Sequence, residues 1–118
     1  MKTIVISNRK GGSAKTTTAV NIASGLAKNG SVLLIDFGTQ GHASIGVGCE
    51  PNELLGVHSI FIGKTLSETF MPTVHNNLTL SPALAFFDVY EYSDLSGVLK
   101  SRFKREKISD FFDYCVID

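Results

Sequence analysis

Two stretches of the chain are apolar with no polar alternation, Thr3-Ile4-Val5-Ile6-Ser7 and Val32-Leu33-Leu34-Ile35-Asp36. A strand of that kind has both faces covered, which is the condition inside a parallel sheet. Between them the period changes: from Lys15 onward, Ala19, Ile22, Ala23, Leu26 and Ala27 recur at spacings of three and four. That predicts an amphipathic helix of about four turns, with Asn29-Gly30 as a stop of the Schellman kind. Residues 3–36 thus read as strand, loop, helix and strand, and the fold class is α/β, a parallel sheet flanked by helices. Phe37 to Gly48 holds four glycines and reads as a loop with a short helical turn. Ser59 to Phe70 reads as one broken helix or two short ones around Gly63-Lys64. Leu78-Thr79-Leu80-Ser81 predicts a third strand stopped by Pro82, Ala83 to Lys100 reads as helical despite Gly97, and Tyr114 to Asp118 is another apolar run ending on an acid.

Composition narrows the class. The 118 residues are 43% hydrophobic, and 11 basic side chains balance 11 acidic ones. A chain this long buries roughly two-thirds of its unfolded surface, so it needs neither disulfides nor a structural metal. A disordered tail, a collagen and a disulfide scaffold are excluded. No apolar stretch approaches the ~20 residues of a membrane span, and Met1-Lys2 leads into a strand rather than a signal sequence, so a cytoplasmic location is expected. Zero net charge argues against the chain as a whole being a simple electrostatic nucleic-acid binder and leaves only a local patch. Cys49 and Cys115 lack partners at zinc-ligand spacing and read as buried, reduced thiols, while His42, His58 and His75 are scattered singly.

The chemistry concentrates in Lys10-Gly11-Gly12-Ser13-Ala14-Lys15-Thr16-Thr17, between a strand and the start of a helix. Backbone N–H groups at a helix start are unpaired and carry the positive end of the macrodipole, and glycines let the main chain wrap phosphate oxygens closely. Lys15 then reaches the β- and γ-phosphates, and the Thr16 hydroxyl coordinates Mg²⁺. A glycine-rich turn with an incidental Lys-Thr pair is the plainer reading. The strand before, the helix after and the second strand ending in Asp36 weigh against it.

The usual Walker A pattern is not met, because Arg9 and Ala14 occupy its two glycine positions. The Lys-Gly-Gly-x-x-Lys-Thr-Thr variant is met, and with it the chain resembles the deviant Walker A ATPases, in particular the ParA/Soj partition proteins. The resemblance covers residues 3–12, the following Lys15-Thr16-Thr17-Thr18-Ala19-Val20-Asn21-Ile22-Ala23, the strand ending in Asp36, and Gln40-Gly41-His42-Ala43-Ser44, which is similar to the family's Gln-Gly-Asn-Ala-Ser/Thr. Tyr114 to Asp118 looks like the start of its Walker B strand. The Gln40 block favours the partition branch over the MinD branch. The resemblance implies a three-layer, Rossmann-like P-loop NTPase fold in which residues 1–118 are the N-terminal portion of a single ATPase domain that runs to roughly twice this length. A sheet cut there would carry an unpaired edge and self-associate.

The resemblance further implies ATP or ADP with Mg²⁺ as cofactors. Lys10, Gly11, Gly12, Ser13, Ala14, Lys15, Thr16 and Thr17 would bind the nucleotide. Lys10 becomes the signature lysine that crosses an ATP-sandwich dimer to the partner's phosphates. Lys10, Lys15 and Asp36 are the catalytic candidates, and Thr16, Asp36 and Asp118 the metal candidates, Asp118 through a water. Asp36 either enters the Mg²⁺ shell or caps the loop. Implied partners are a second copy with ATP, a ParB-like protein and nonspecific DNA, with no membrane and a cytoplasmic or nucleoid-associated location.

One departure matters for chemistry. The family's second strand usually ends Asp-x-Asp-Pro-Gln, its second Asp positioning the attacking water; here the run is Asp36-Phe37-Gly38-Thr39-Gln40. Glycine neither orients nor deprotonates water, so hydrolysis is expected to slow by the ~10²–10⁴ typical of losing a general base, with binding retained. A non-hydrolysing nucleotide-binding scaffold or regulator is the competing reading. A metabolic or metallocluster-linked relative is a third, disfavoured because no Cys pair is placed to bridge a cluster. His42 replaces the family's Asn and reads as a solvated loop residue. Ala14 is expected in an ordinary right-handed conformation, since a left-handed one costs about 1–2 kcal/mol. Lys100, Arg102, Lys104, Arg105 and Lys107 read as a solvated helix end, with Lys100, Lys104 and Lys107 on one face, in preference to a DNA contact. Phe86-Phe87 and Phe111-Phe112 read as core rather than as a base-stacking platform.

Overall fold

Val32–Ile35 has four buried side chains in a row and sits at the centre of the sheet. The computed structural model describes residues 1–6, 13–38, 42–49, 56–83 and 95–118. They form one five-stranded sheet in the order β1 (Lys2–Val5), β5 (Tyr114–Ile117), β2 (Val32–Ile35), β4 (Leu78–Ser81), β3 (Met71–Pro72). β1, β5, β2 and β4 are parallel neighbours, and β3 runs antiparallel to β4.

Side chains alternate across β2 as the pleat requires. Val32 and Leu34 join Leu78, Leu80 and Val116 against Ala19, Ala23 and Ala27. Leu33 and Ile35 join Cys115 against Leu99, Ile108 and Phe112. The first layer is α1 (Ser13–Leu26) with the short α2 (His42–Gly46). The other is α3 (Leu95–Arg105) with 3₁₀ turns at Val57–Ile62 and Ile108–Asp110. Alanine at 19 and 23, continued by Ala27 just past the helix end, gives α1 a narrow buried stripe of small side chains, which lets the helix axis approach the sheet closely.

The structure corrects several expectations. β1 is not covered on both faces; it lies at one edge of the described sheet, and Val5 is 63% exposed. α1 does not end in a Schellman turn: among the described residues 27–30 none has a positive φ. It tightens instead, Lys28 N–H donating to Gly25 O and Asn29 N–H to Leu26 O. Gly30 is required for space, since a Cβ there would lie 2.8 Å from Asp113 Oδ2, whose carboxylate accepts Ser31 N–H.

The broken helix resolves into 3₁₀ turns at Val57–Ile62 and Ser67–Thr69, separated at Gly63, whose φ of 95° suits glycine. β3 was not foreseen, because two residues, one of them proline, carry no periodic signal; proline fits here because the strand is at the edge. The helix expected over residues 83–100 is described only from Leu95, and it runs on to Arg105. Lys107 falls beyond it in a left-handed conformation, φ 51°, so it does not share a helical face with Lys100 and Lys104. Phe112 is core, edge-on to Phe70 with centroids 5.6 Å apart, whereas Phe111 is 68% exposed. Phe86-Phe87 lie outside the described residues. Among those described, no helix is long and apolar enough to cross a membrane.

Candidate functional site

The register of the parallel strands creates the site. Val5, Ile117, Ile35 and Ser81 are aligned across β1, β5, β2 and β4, so the residues that follow them share one edge. Asp118 N–H donates to Ile35 O at 2.9 Å, and Phe37 N–H donates to Asp118 O at 3.0 Å. Asp36 and Asp118 are therefore neighbours, both buried, at the carboxyl edge where open α/β sheets bind ligands.

The N-terminal turn of α1 stands over this edge. Thr16 Oγ1 donates to Asp118 Oδ2 at 3.2 Å, joining residues far apart in the chain. Ala14 lies in α1, right-handed as expected. Ser13 and Lys15 share that first turn, and Lys10, Gly11 and Gly12 lie outside the described residues. Thr16 and Thr17 line a cleft of about 300 Å³ between α1 and α2, with Val20, Asn21, His42 and Gly46 completing its wall. His42 is exposed, as expected, and is the first residue of α2.

Asp36 is held by three donors. Its Oδ1 accepts Gly38 N–H at 2.9 Å, and its Oδ2 accepts Ser44 N–H at 2.9 Å and Ser44 Oγ–H at 2.8 Å. Burial pushes its carboxyl above the ordinary value; the Ser44 and Gly38 hydrogen bonds work against that, and the charge of Asp118 adds to it. Ser44 Oγ also accepts Ala83 N–H, 3.2 Å, just past β4. Sequence reasoning missed Ser44, because a serine inside a helix normally has no role at a strand eight residues earlier. A Cβ at Gly38 would lie 3.1 Å from Asp36 Oδ1.

The oxygen donors fit Mg²⁺. Thr16 and Asp118 offer one hydroxyl and one carboxylate, and among the described residues no group of three or more His, Cys, Asp or Glu side chains could hold a metal by itself. Mg²⁺ is characteristically held by one or two protein oxygens, with phosphate oxygens and waters completing the octahedron. Both thiols are free and buried, as expected; burial pushes Cys115 up to about 12, and Cys49 Sγ–H donates to Pro72 O. His58 is fully buried, its ring edge-on to Phe37, and burial holds it down to about 4, so it is neutral at pH 7.

A mostly parallel sheet between helical layers, with a strand-to-helix phosphate motif and two acids on adjacent strand ends, is the fold of a P-loop NTPase. A family model described as "AAA domain" (AAA_31) matches residues 1–118, and the chain belongs to that family. It is 31% identical over 128 residues to a ParA family protein of Chlamydia pneumoniae, a match that takes in all of this chain and 49% of that one. Among solved structures it is similar to the ATP complex of a McdA variant from Cyanothece, with TM-score 0.84 and 32% identity over all of this chain and 47% of the other. It is also similar to cobyrinic acid a,c-diamide synthase from Mycobacterium smegmatis with bound ATP analog and magnesium, with TM-score 0.80 and 29% identity over 99% of this chain and 49% of the other. The chain spans about half the length of the curated relatives it matches.

Proposed function

We propose that this chain carries the nucleotide-binding half of an ATP-dependent switch of the ParA/Soj type, one that dimerises with ATP and acts with a ParB-like partner on DNA. The observation that carries the reading is the Thr16–Asp118 hydrogen bond, which joins the phosphate motif to the acid at the end of β5 beside Asp36. Bound Mg²⁺ would neutralise charge on the β- and γ-phosphates. In this reading Thr16 and Asp118 hold the metal, Asp118 through a water, and Asp36 either joins them or orders the loop. Gly11 to Thr17 present N–H groups to the phosphates, and Lys15 places its ammonium on them. Lys10 extends toward the phosphates of a second copy, so dimerisation depends on the triphosphate.

The McdA and cobyrinic acid a,c-diamide synthase neighbours, solved as a complex with ATP and with a bound ATP analog and magnesium respectively, support nucleotide binding. Light scattering after size exclusion in ATP and in ADP, beside phosphate release, tests the proposal. A dimer in ATP alone is expected, and the absence of both dimer and release overturns it. A non-hydrolysing binder is favoured as the second reading by one observation: the position two residues after Asp36 is Gly38, with no carboxylate to orient water. An ATP-induced dimer without phosphate release selects that reading.

A further inference from the structure

We propose that the cleft between α3 and the Val57–Ile62 turn is a docking site for a second copy of this chain, and that its occupant is the exposed Asp110-Phe111 corner that follows α3. The contact goes beyond nucleotide binding, since neither patch contains a residue of the site at the carboxyl edge.

The cleft follows from residue spacing along α3. Gly97, Ser101 and Arg105 recur every four residues and so share one face of the helix, with Val98 and Arg102 in the row beside them. Gly97 and Ser101 occupy little space, and Phe61 of the facing turn closes the other wall, leaving a cleft of about 360 Å³. Phe61 and Val98, both half-buried, give it an apolar floor. The last turn of α3 places two guanidinium groups at one end. Arg102 is already engaged, donating to Ile60 O at 3.2 Å, and its charge acts on Glu68. Arg105 is exposed and has no hydrogen bond or ion pair among the described residues. An occupant that fits therefore brings a flat apolar group with an anion beside it. A phosphate backbone gains nothing from the apolar floor, which separates this use of Arg105 from a DNA contact.

The chain presents the complementary pair on its own surface. Phe111 is 68% exposed. Asp110 precedes it, also exposed, and its carboxylate meets no donor among the described residues. The backbone of this corner is pinned before any contact forms: Phe111 N–H donates to Ile108 O, and Phe111 O accepts the Ser31 hydroxyl at 3.1 Å. Docking then pays little for ordering the main chain. Lys107, three residues before Asp110, adds a positive charge nearby, so the complementarity is local, carboxylate to guanidinium, and does not rest on net charge. Phe111 does not line the cleft of its own chain, so a second copy is needed to bring the two together. Corner and cleft are different patches, and the contact is head-to-tail.

One ring and one carboxylate make a small contact, and a dissociation constant of about 1 mM is expected, above the concentrations at which an ATP-dependent dimer is read. Backbone ¹H–¹⁵N spectra of the nucleotide-free chain, recorded on dilution from about 1 mM to about 0.05 mM, test the proposal. The amide signals of Gly97, Ser101 and Arg105 are expected to move on the same dilution curve as those of Asp110 and Phe111. Asp110→Arg and Arg105→Glu each set like charges against one another, and each is expected to weaken association about tenfold. Mixing the two variants, so that the Asp110→Arg corner meets the Arg105→Glu cleft, is expected to restore the movement at that cleft. Phe111→Ser, at an exposed position, is expected to abolish it in the homogeneous chain. Signals unchanged on dilution mean that the cleft takes another occupant, and movement confined to Thr3 and Val5 means that copies meet at the β1 edge; either overturns the proposal. So does a mixture of the charge variants that fails to recover association.

Discussion

Gly38 concentrates the question of turnover in one side chain. Its N–H is spent on Asp36 Oδ1, and a Cβ would approach that oxygen to 3.1 Å, so any side chain there must push Asp36 by a few tenths of an ångström. Gly38→Asp is expected to raise steady-state phosphate release by about 10²-fold, while Gly38→Ala leaves it unchanged. Equal rates in the two variants would show that the carboxylate is not what is missing.

His58 gives a pH dependence of stability with a definite sign. Its folded pKa, about 4, lies below the ordinary 6.5, so between those values the unfolded chain binds a proton that the folded one refuses. The contribution is fully present above pH 6.5 and is lost as pH falls toward 4, on the order of 2–3 kcal/mol. Urea unfolding at pH 7.5 and pH 5 should show this loss in the wild type and a smaller one in His58→Leu. Thr16 and Asp118, which share a hydrogen bond, were singled out from the sequence pattern. Ser44 and His58 were not, because their roles come from Asp36 and Phe37, which local periodicity does not reveal.

Among the elements, α3 does more than cover the sheet. Just past its last residue, Glu106 accepts Leu66 N–H and Ser67 N–H, each at 2.7 Å, along with the Ser67 hydroxyl, and so caps the Ser67–Thr69 turn from another part of the chain. Arg102 donates to Ile60 O at 3.2 Å. Glu106→Ala should lower stability by about 1–2 kcal/mol, the scale of a lost helix cap, measured by thermal melting. Arg102 is thereby turned toward the protein, while Lys100, Lys104, Arg105 and Lys107 remain exposed. Charge reversal at Lys104 and Arg105 is expected to leave both DNA affinity and its salt slope unchanged; a shallower slope in a titration would make this face a phosphate contact.

Four of the strands and α1 could be read locally, the strands from short apolar-rich runs and α1 from small side chains buried every four residues. β3, the exposed edge at β1 and the outward turn of Phe111 depend on which neighbour each segment meets, and a local pattern does not carry that.

For the whole molecule, MgATP at about 100 times its dissociation constant is expected to stabilise the fold by about 2.7 kcal/mol, read as a rise in melting temperature. Thr16→Ala should remove most of the Mg²⁺-dependent part of that rise. An equal rise with and without Mg²⁺ would separate Thr16 and Asp118 from the metal.

The sequence by itself determined the α/β class, the buried strand β2, the amphipathic α1 and the strand-to-helix glycine and lysine motif, because these follow from period, glycine placement and side-chain chemistry within a few residues. Only the tertiary structure decided that Asp118 lies beside Asp36, that Thr16 reaches it, and that Ser44 is held between two strand ends. Those pairings arise from parallel register and from burial shared by distant segments. A buried carboxylate finds its donors wherever the fold places them, not where the chain places them in order.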